Sequence, residues 1–496
     1  MYRNPTDPLS ESAVSPWMAS ILMRRGGSAW QRFALYYRQL AAMPRRWRRQ
    51  LRRKTAVGLG SAALVLALAG PIVAAPSLQP AAPEATIVVV NGEVANVNNN
   101  KCGLIEAIIN ARAANAGAMR PDCANGNVNG PDTVSLPING NFVLTTAHNE
   151  QFGATGLPVI TSAVTIDGHG ATIRRSSVSG TPDFRILAVD ANGALTLNNT
   201  TITNGATVYG SGGYYDFTDK GGGILALGTL TLSGATITDN ATHGSGYSAG
   251  GGVFANGATT ITDSIISSNH ADGRYHSDFG RGGGLFAGFN GHATITGSTI
   301  ANNTAGDYYG SGGGIYASGS STLISDTIIE GNVTIAGAGI QLAGHGTATI
   351  TGSTIANNLA RFGHYNGSEG GGIDVGNSHA TIVDSTIVGN TVAGNYYNGG
   401  DGGGVHVEPG SQVTISGSTI VGNEAMLGSD RGSPYVYPGH GGGVSNQGET
   451  TIINSTVSDN IANEGGGLFN SETLTVIHST VSGNLGKQYH DECGYD

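Results

Sequence analysis

Polar and apolar residues alternate along this chain in short bursts. TITGSTIANN (Thr294–Asn303) and VTISGSTIVGN (Val413–Asn423) are two examples. A period of two marks a strand with one buried face, so each burst predicts a β-strand with Ile or Val inward. Small or polar residues at the joins, such as Gly297, permit a bend into the next strand. One segment breaks the habit: KCGLIEAIINARAANA (Lys101–Ala116) puts Leu104, Ala107, Ile108 and Ala111 on one helical face.

The bursts repeat. Glycine-rich triplets followed by an apolar residue begin at Gly221, Gly250, Gly282, Gly312, Gly337, Gly370, Gly402, Gly441 and Gly465. An asparagine follows each by 19 to 21 residues, at Asn240, Asn269, Asn303, Asn332, Asn358, Asn390, Asn423, Asn460 and Asn484. From asparagine to the next triplet the gap varies between 5 and 18 residues. A constant core with one elastic edge is the signature of a solenoid. Each core offers three short strands: one after the glycines, one of TIT type and one of STI type. Stacked turn on turn about 4.8 Å apart, these make an all-β parallel β-helix with three short strands per coil. The glycines then serve a positive φ and a close approach to the next coil, and the asparagines tolerate the left-handed region. In register, the asparagines form a structural amide ladder. A phosphate cradle is excluded, because no lysine follows the triplets and no helix begins there. The helical segment is a short N-terminal cap over the open end of the coil. Weaker coils run through TVSLPINGNFVL and AVTIDGHGATI. The expected organisation is a leader at 1–75, a cap with first weak coils at 76–160, the repeats at 161–487 and a tail at 488–496.

Composition agrees with this picture. Glycine is 81 of 496 residues and charged residues are 12%, against usual shares of ~7% and ~25%. Abundant Ile, Val and Thr exclude a disordered linker. Before residue 76 a basic block, RRWRRQLRRK, precedes an apolar run that Pro71 ends, and Val73–Ala75 offers small residues. These are the three regions of a signal peptide, and the run is short for a bilayer span of ~20 apolar residues. Export with cleavage near Ala75 is expected; Met43 is an alternative start giving a leader of conventional length. That leader carries 12 of the 24 Lys+Arg and 2 of the 34 Asp+Glu, which leaves a net charge of −20. Such a surface repels nucleic acid and anionic lipid, so membrane contact is expected only through the leader if it stays uncleaved. Cys102 and Cys123 lie 21 apart in an exported segment, where a structural disulfide worth ~3 kcal/mol is expected. Cys493 is left over.

The stretch CGLIEAIINARAAN, the strand start at Asp132–Val134 and VTIDGHGATI resemble the CSLREA-type segment that opens many secreted bacterial right-handed β-helix proteins. Cys102, Glu106 and Ala107 keep that segment's Cys, Glu and Ala. The repeats are similar to those of polymorphic outer membrane proteins, which carry GGA[ILV] and FxxN. The resemblance spans about 84–487 and implies a right-handed β-helix, a fold that serves lyases and adhesins alike.

No chemistry stands out by motif. GHG occurs at Gly168–Gly170, Gly344–Gly346 and Gly439–Gly441, but no NTD, DD or RIK segment accompanies it. Hydrolysis needs two carboxylates at a set separation, whereas Asp239, Asp263, Asp326, Asp384 and Asp459 sit at recurring corners. None of the 13 histidines has an HExxH-like spacing. The reading therefore assigns no catalytic residue, no cofactor and no metal. What does recur in the elastic loops is tyrosine: Tyr209, Tyr214, Tyr215, Tyr247, Tyr275, Tyr308, Tyr309, Tyr365, Tyr396, Tyr397, Tyr435 and Tyr437, joined by Phe279 and Phe362. In-register coils would send these loops out on one edge. The rings then either pack as a local core beneath the loops or form a binding strip for a glycan or surface protein. The expectation is an exported, monomeric, non-enzymatic binding or adhesion protein. A polysaccharide lyase or glycoside hydrolase of pectin-lyase-like fold, and a plain structural rod, are the alternatives.

Overall fold

The computed structural model describes residues 85–487 apart from 96, 113–118, 128–129, 208–215, 245–246, 274–278, 289–290, 307–308, 362–367, 395–397 and 430–435. All of these belong to the second of two compact units, Ala81–Asp496. The expected leader at 1–75, Cys493 and the expected tail at 488–496 lie outside the described residues. No helix among the described residues is long and apolar enough to cross a membrane.

Four long parallel sheets carry the structure. Strands of TIT type form a 13-stranded sheet from Ala85–Val88 to Thr473–Ile477, and strands of STI type a 12-stranded sheet from Asn141–Leu144 to Thr480–Ser482. The strands after the glycines form a 10-stranded sheet from Leu187–Val189 to Leu468–Asn470, called the glycine sheet below. A fourth, 9-stranded sheet comes from short strands just after the ladder asparagine, such as Val333–Thr334 and Thr391–Val392. Two-residue strands of this kind carry too little alternation to be legible in sequence, so the three strands expected per coil gain a fourth.

Register is strict, so like stacks on like. Ile295, Ile324, Ile350, Ile382, Ile415 and Ile452 pair coil to coil in one file, and all are buried. A second file runs through Ile237, Ile266, Ile300, Ile329, Ile355, Ile387 and Ile420. Each buried isoleucine contributes about 1.5–3 kcal/mol, and together the files form one continuous core between the sheets.

The asparagine file is equally regular. Each Nδ2 from Asn240 to Asn460 donates to the Oδ1 of the next asparagine at 2.9–3.0 Å. Its second proton goes to a strand carbonyl, as from Asn390 to Ile355 at 2.9 Å. The same Oδ1 also accepts the preceding rung's backbone N–H, as from Asn358 to Asn390 at 3.0 Å. Every polar atom of these buried amides is thus used, which is the condition for polar groups in a core. A parallel hydroxyl file was not foreseen. The N–H of each of Ser264, Ser298, Thr327, Ser353, Ser385, Ser418 and Ser455 donates to the next hydroxyl, ending at Ser479, over 3.1–3.4 Å.

The left-handed positions correct one expectation. It is not the ladder asparagine that takes positive φ but the residue before it: Asp239, Ser268, Asn302, Gly331, Asn357, Gly389, Gly422, Asp459 and Gly483, at φ 53 to 67°. The asparagine must stay extended to reach both neighbouring coils, so the turn falls one residue earlier. At the corner between the two main sheets, acid or amide residues alternate with glycine: Asn199, Gly234, Asp263, Gly297, Asp326, Gly352, Asp384 and Gly417, all at positive φ. A Cβ on Gly234, Gly297, Gly352 or Gly417 would lie 2.2–2.9 Å from the Oδ1 of the residue on the preceding coil. One side chain fills the space of two corners. The first glycine of each triplet takes φ 56 to 68°.

The helix spans Leu104–Ala111 and is buried throughout. It packs on the first two strands of the 13-stranded sheet, Ala85–Val88 and Asp132–Ser135. The Glu106 carboxylate accepts the Gly103 N–H at 3.1 Å and closes the helix start. Asn110 ties the helix to the loop held by the Cys102–Cys123 disulfide: its Nδ2 donates to the carbonyls of Arg120 and Ala124 at 3.0 and 3.1 Å.

Two outcomes are expected. Asn390→Ala strands the donors of Asn358 and lowers stability by about 3 kcal/mol or more, read by chemical denaturation; a loss below about 1 kcal/mol would refute the ladder's role. Gly417→Ala also destabilises, and adding Asp384→Gly recovers part of the loss, with a favourable coupling of about 1 kcal/mol in a double-mutant cycle.

Candidate functional site

The glycine sheet has an outward file that the core does not use. In each three-residue strand the outer positions point inward and the middle one outward. By register the middle residues are Ala188, Leu225, Phe254, Phe286, Tyr316, Gln341, Asp374, His406, Ser445 and Phe469. The first half is apolar. Phe254 stacks on Phe286 with centroids 4.8 Å apart, and Phe286 on Tyr316 at 5.3 Å. Phe152 and Phe217 close over this half as an external second core. Arg185 holds that cover: fully buried, its guanidinium donates to the carbonyls of Phe152 at 2.7 Å, Thr218 at 2.9 Å and Phe217.

From Gln341 to Ser445 the same file is polar. Beside it runs a second file, the residue before each triplet. Backbone bridges join Ala336, Glu369, Asp401, His440 and Glu464 in that order. The two files place four carboxylates and two imidazoles on one face, Glu369, Asp374, Asp401, His406, His440 and Glu464, and Glu408 follows directly after the His406 strand. His406 Nδ1 bonds Asp374 Oδ1 at 2.8 Å, with both residues buried. His440 Nδ1 bonds Asp401 Oδ1 at 2.8 Å, and its Nε2 lies 3.5 Å from Glu464. Among the described residues the ion-pair partners of these carboxylates are the two imidazoles.

Charge crowding shifts protonation here. Burial, then the Asp374 charge, pushes the Glu369 carboxyl up to about 8. Burial and Asp374 likewise raise Glu408. For His406, burial pulls downward, but the hydrogen bond and charge of Asp374, with Glu369 and Asp401, outweigh it and raise the imidazole to about 9. His440 is raised above 6.5, first by its hydrogen bond to Asp401, against burial and with the charges of Asp401 and Glu464.

Sequence reasoning missed this cluster. Asp374 and His406 are 32 residues apart, a spacing with no motif meaning until the coils are aligned. Alignment on the triplets would have revealed it: GGGIDV and GGGVHV put a charge at the outward position, and E, D, H and E precede four successive triplets. The three GHG sites divide accordingly. His169 and His345 are corner residues at φ 49° and 65°, whereas His440 belongs to the cluster.

Of the loop tyrosines, Tyr247, Tyr309 and Tyr437 are described. Tyr247 stacks on Phe279 at 5.2 Å, and Tyr309 leans on Phe279 at 5.4 Å. The Arg281 guanidinium lies 5.2 Å from the Tyr247 ring and 5.1 Å from the Tyr316 ring, a cation–π arrangement. Tyr247, Phe279 and Tyr309 form a file of half-buried side chains at one edge. Tyr437, also half-buried, pairs through Gly428 in a small antiparallel ribbon. Tyr209, Tyr214, Tyr215, Tyr275, Tyr308, Tyr365, Tyr396, Tyr397 and Tyr435 lie outside the described residues, as does Phe362.

A family described as right handed beta helix region matches residues 162–355 and 276–494. No curated protein matches the chain.

The His440 pair predicts a pH response. Because its folded-state value is raised, its contribution is complete below about 6.5 and is lost as pH rises through the folded value. The melting temperature should fall across that window, and His440→Gln should remove that part of the slope; an unchanged slope in the variant would refute the assignment.

Proposed function

This chain belongs to the right-handed β-helix family, and from that premise we propose that it is an exported binding protein, cell-surface or extracellular, that engages a glycan or a surface protein through its loop-bearing edge. One observation carries the reading. The coils stack in register, and among the described residues the chain leaves each coil after the ladder asparagine and re-enters at a glycine triplet, which supports loops that share one flank. On that flank Tyr247, Phe279 and Tyr309 stack in a file that leaves part of each ring open. Aromatic rings held rigid by their neighbours lose little entropy on binding and offer both apolar surface and a polar tip. The acidic balance beyond the leader supports a partner that is neither nucleic acid nor anionic lipid.

A carbohydrate-active enzyme is the second reading, favoured by the convergence of Glu369, Asp374, His406 and Asp401 on one outer face. The two differ in turnover: an enzyme cleaves what it binds.

The test replaces Tyr308, Tyr309, Tyr396 and Tyr397 with alanine and compares variant and parent on a glycan and cell-surface array. The parent should retain a ligand, the variant should lose at least about tenfold in affinity for it (~1.4 kcal/mol), and bound glycans should be recovered intact. A parent that binds nothing, or a variant that binds as well, would end this reading. Release of reducing ends or unsaturated sugars would favour the second.

A further inference from the structure

We propose that Glu369, Asp374 and His406 form a binding site for a divalent first-row transition-metal ion of the zinc class on the outer face of the glycine sheet. The proposal does not depend on the aromatic edge. One ligand atom from each of the three lies within 4.8 Å of the other two. Asp374 and His406 are paired rungs of the outward file, and Glu369 precedes the triplet of Asp374's own strand. Ligand atoms on a zinc ion with bonds of about 2.0–2.2 Å sit closer together than that limit, so side-chain rotations would draw the three in around the ion.

Unused polar atoms give the second line of support. The His406 Nδ1–Asp374 Oδ1 bond leaves His406 Nε2 and Asp374 Oδ2 buried with no hydrogen-bond partner among the described residues. The adjacent rungs show the same deficit, at Gln341 Oε1 and Ser445 Oγ. The asparagine and hydroxyl files of the same coils are satisfied throughout, so a run of four deficient rungs is a local departure. Buried polar groups without partners cost about 1–3 kcal/mol each, and carboxylates facing one another cost more. A divalent cation offsets both.

The donor set selects the class of ion. An imidazole with carboxylates suits zinc and its neighbours, whereas calcium takes six to eight oxygens.

The test uses the full chain, stripped with EDTA, dialysed and titrated calorimetrically with zinc chloride, with calcium chloride in parallel. The expected result is a tight zinc site, at least about tenfold stronger for zinc than for calcium. Glu369→Gln and His406→Gln should each weaken it by about tenfold to a hundredfold, while His379→Ala on the exposed face should change it less than twofold. Circular dichroism checks that each variant folds. Should His406→Gln fail to fold, the half-buried Glu369→Gln decides alone. Absence of zinc binding, equal or stronger calcium binding, or unchanged zinc affinity in Glu369→Gln would overturn the proposal.

Discussion

The in-register parallel pairing of one coil on the next is the constraint from which the rest follows. A strand that pairs with its own repeat must present the same residue at the same place again and again. Isoleucine therefore meets isoleucine across the core, and asparagine meets asparagine at the corner. A slip of one residue would turn every inward side chain outward. The register is held at both ends of each coil, by the amide file at one corner and by the glycine triplet where the loop returns.

Polar files in a buried corner are stable here because the repeat makes them complete. A lone buried asparagine would leave donors or acceptors unused. In a file, each rung supplies what the next lacks, and only the last rung, Asn484, opens to solvent. The corner alternation of acid or amide with glycine follows the same economy of space. A left-handed backbone admits Gly, Asn or Asp, and the short side chain on one coil occupies the room that the next leaves empty.

The outward file of the glycine sheet shows what happens where repetition relaxes. Its middle position does not build the central core, so its chemistry is free to vary. The chain uses the first half for aromatic stacking, closed by Phe152, Phe217 and the buried Arg185, and the second half for acids and imidazoles. The contrast matters for function. The rings in one half pack on one another, whereas the polar half retains buried polar atoms with no hydrogen-bond partner among the described residues. The edge proposed for binding is the loop-bearing one, where the Tyr247–Phe279–Tyr309 file continues the coil-to-coil logic beyond the strands.

The sequence alone determined the coil. Period, strand alternation, the glycine triplets and the asparagine spacing are local and repeat by translation, so nine copies speak with one voice. It also placed the cap helix, because a period of 3.6 against a background of two is unmistakable in Leu104–Ala111. It left less legible whatever depended on a single residue. Positive φ at Asp239 or Asn357, rather than at the asparagine that follows, needed the backbone path. The hydroxyl file needed the corner geometry that brings Ser353 N–H to Ser385. The Asp374–His406 pairing needed the register, because loops of unequal length separate the coils and no fixed spacing marks the contact. Tertiary structure decided which residues meet across coils; the sequence decided that coils would exist at all.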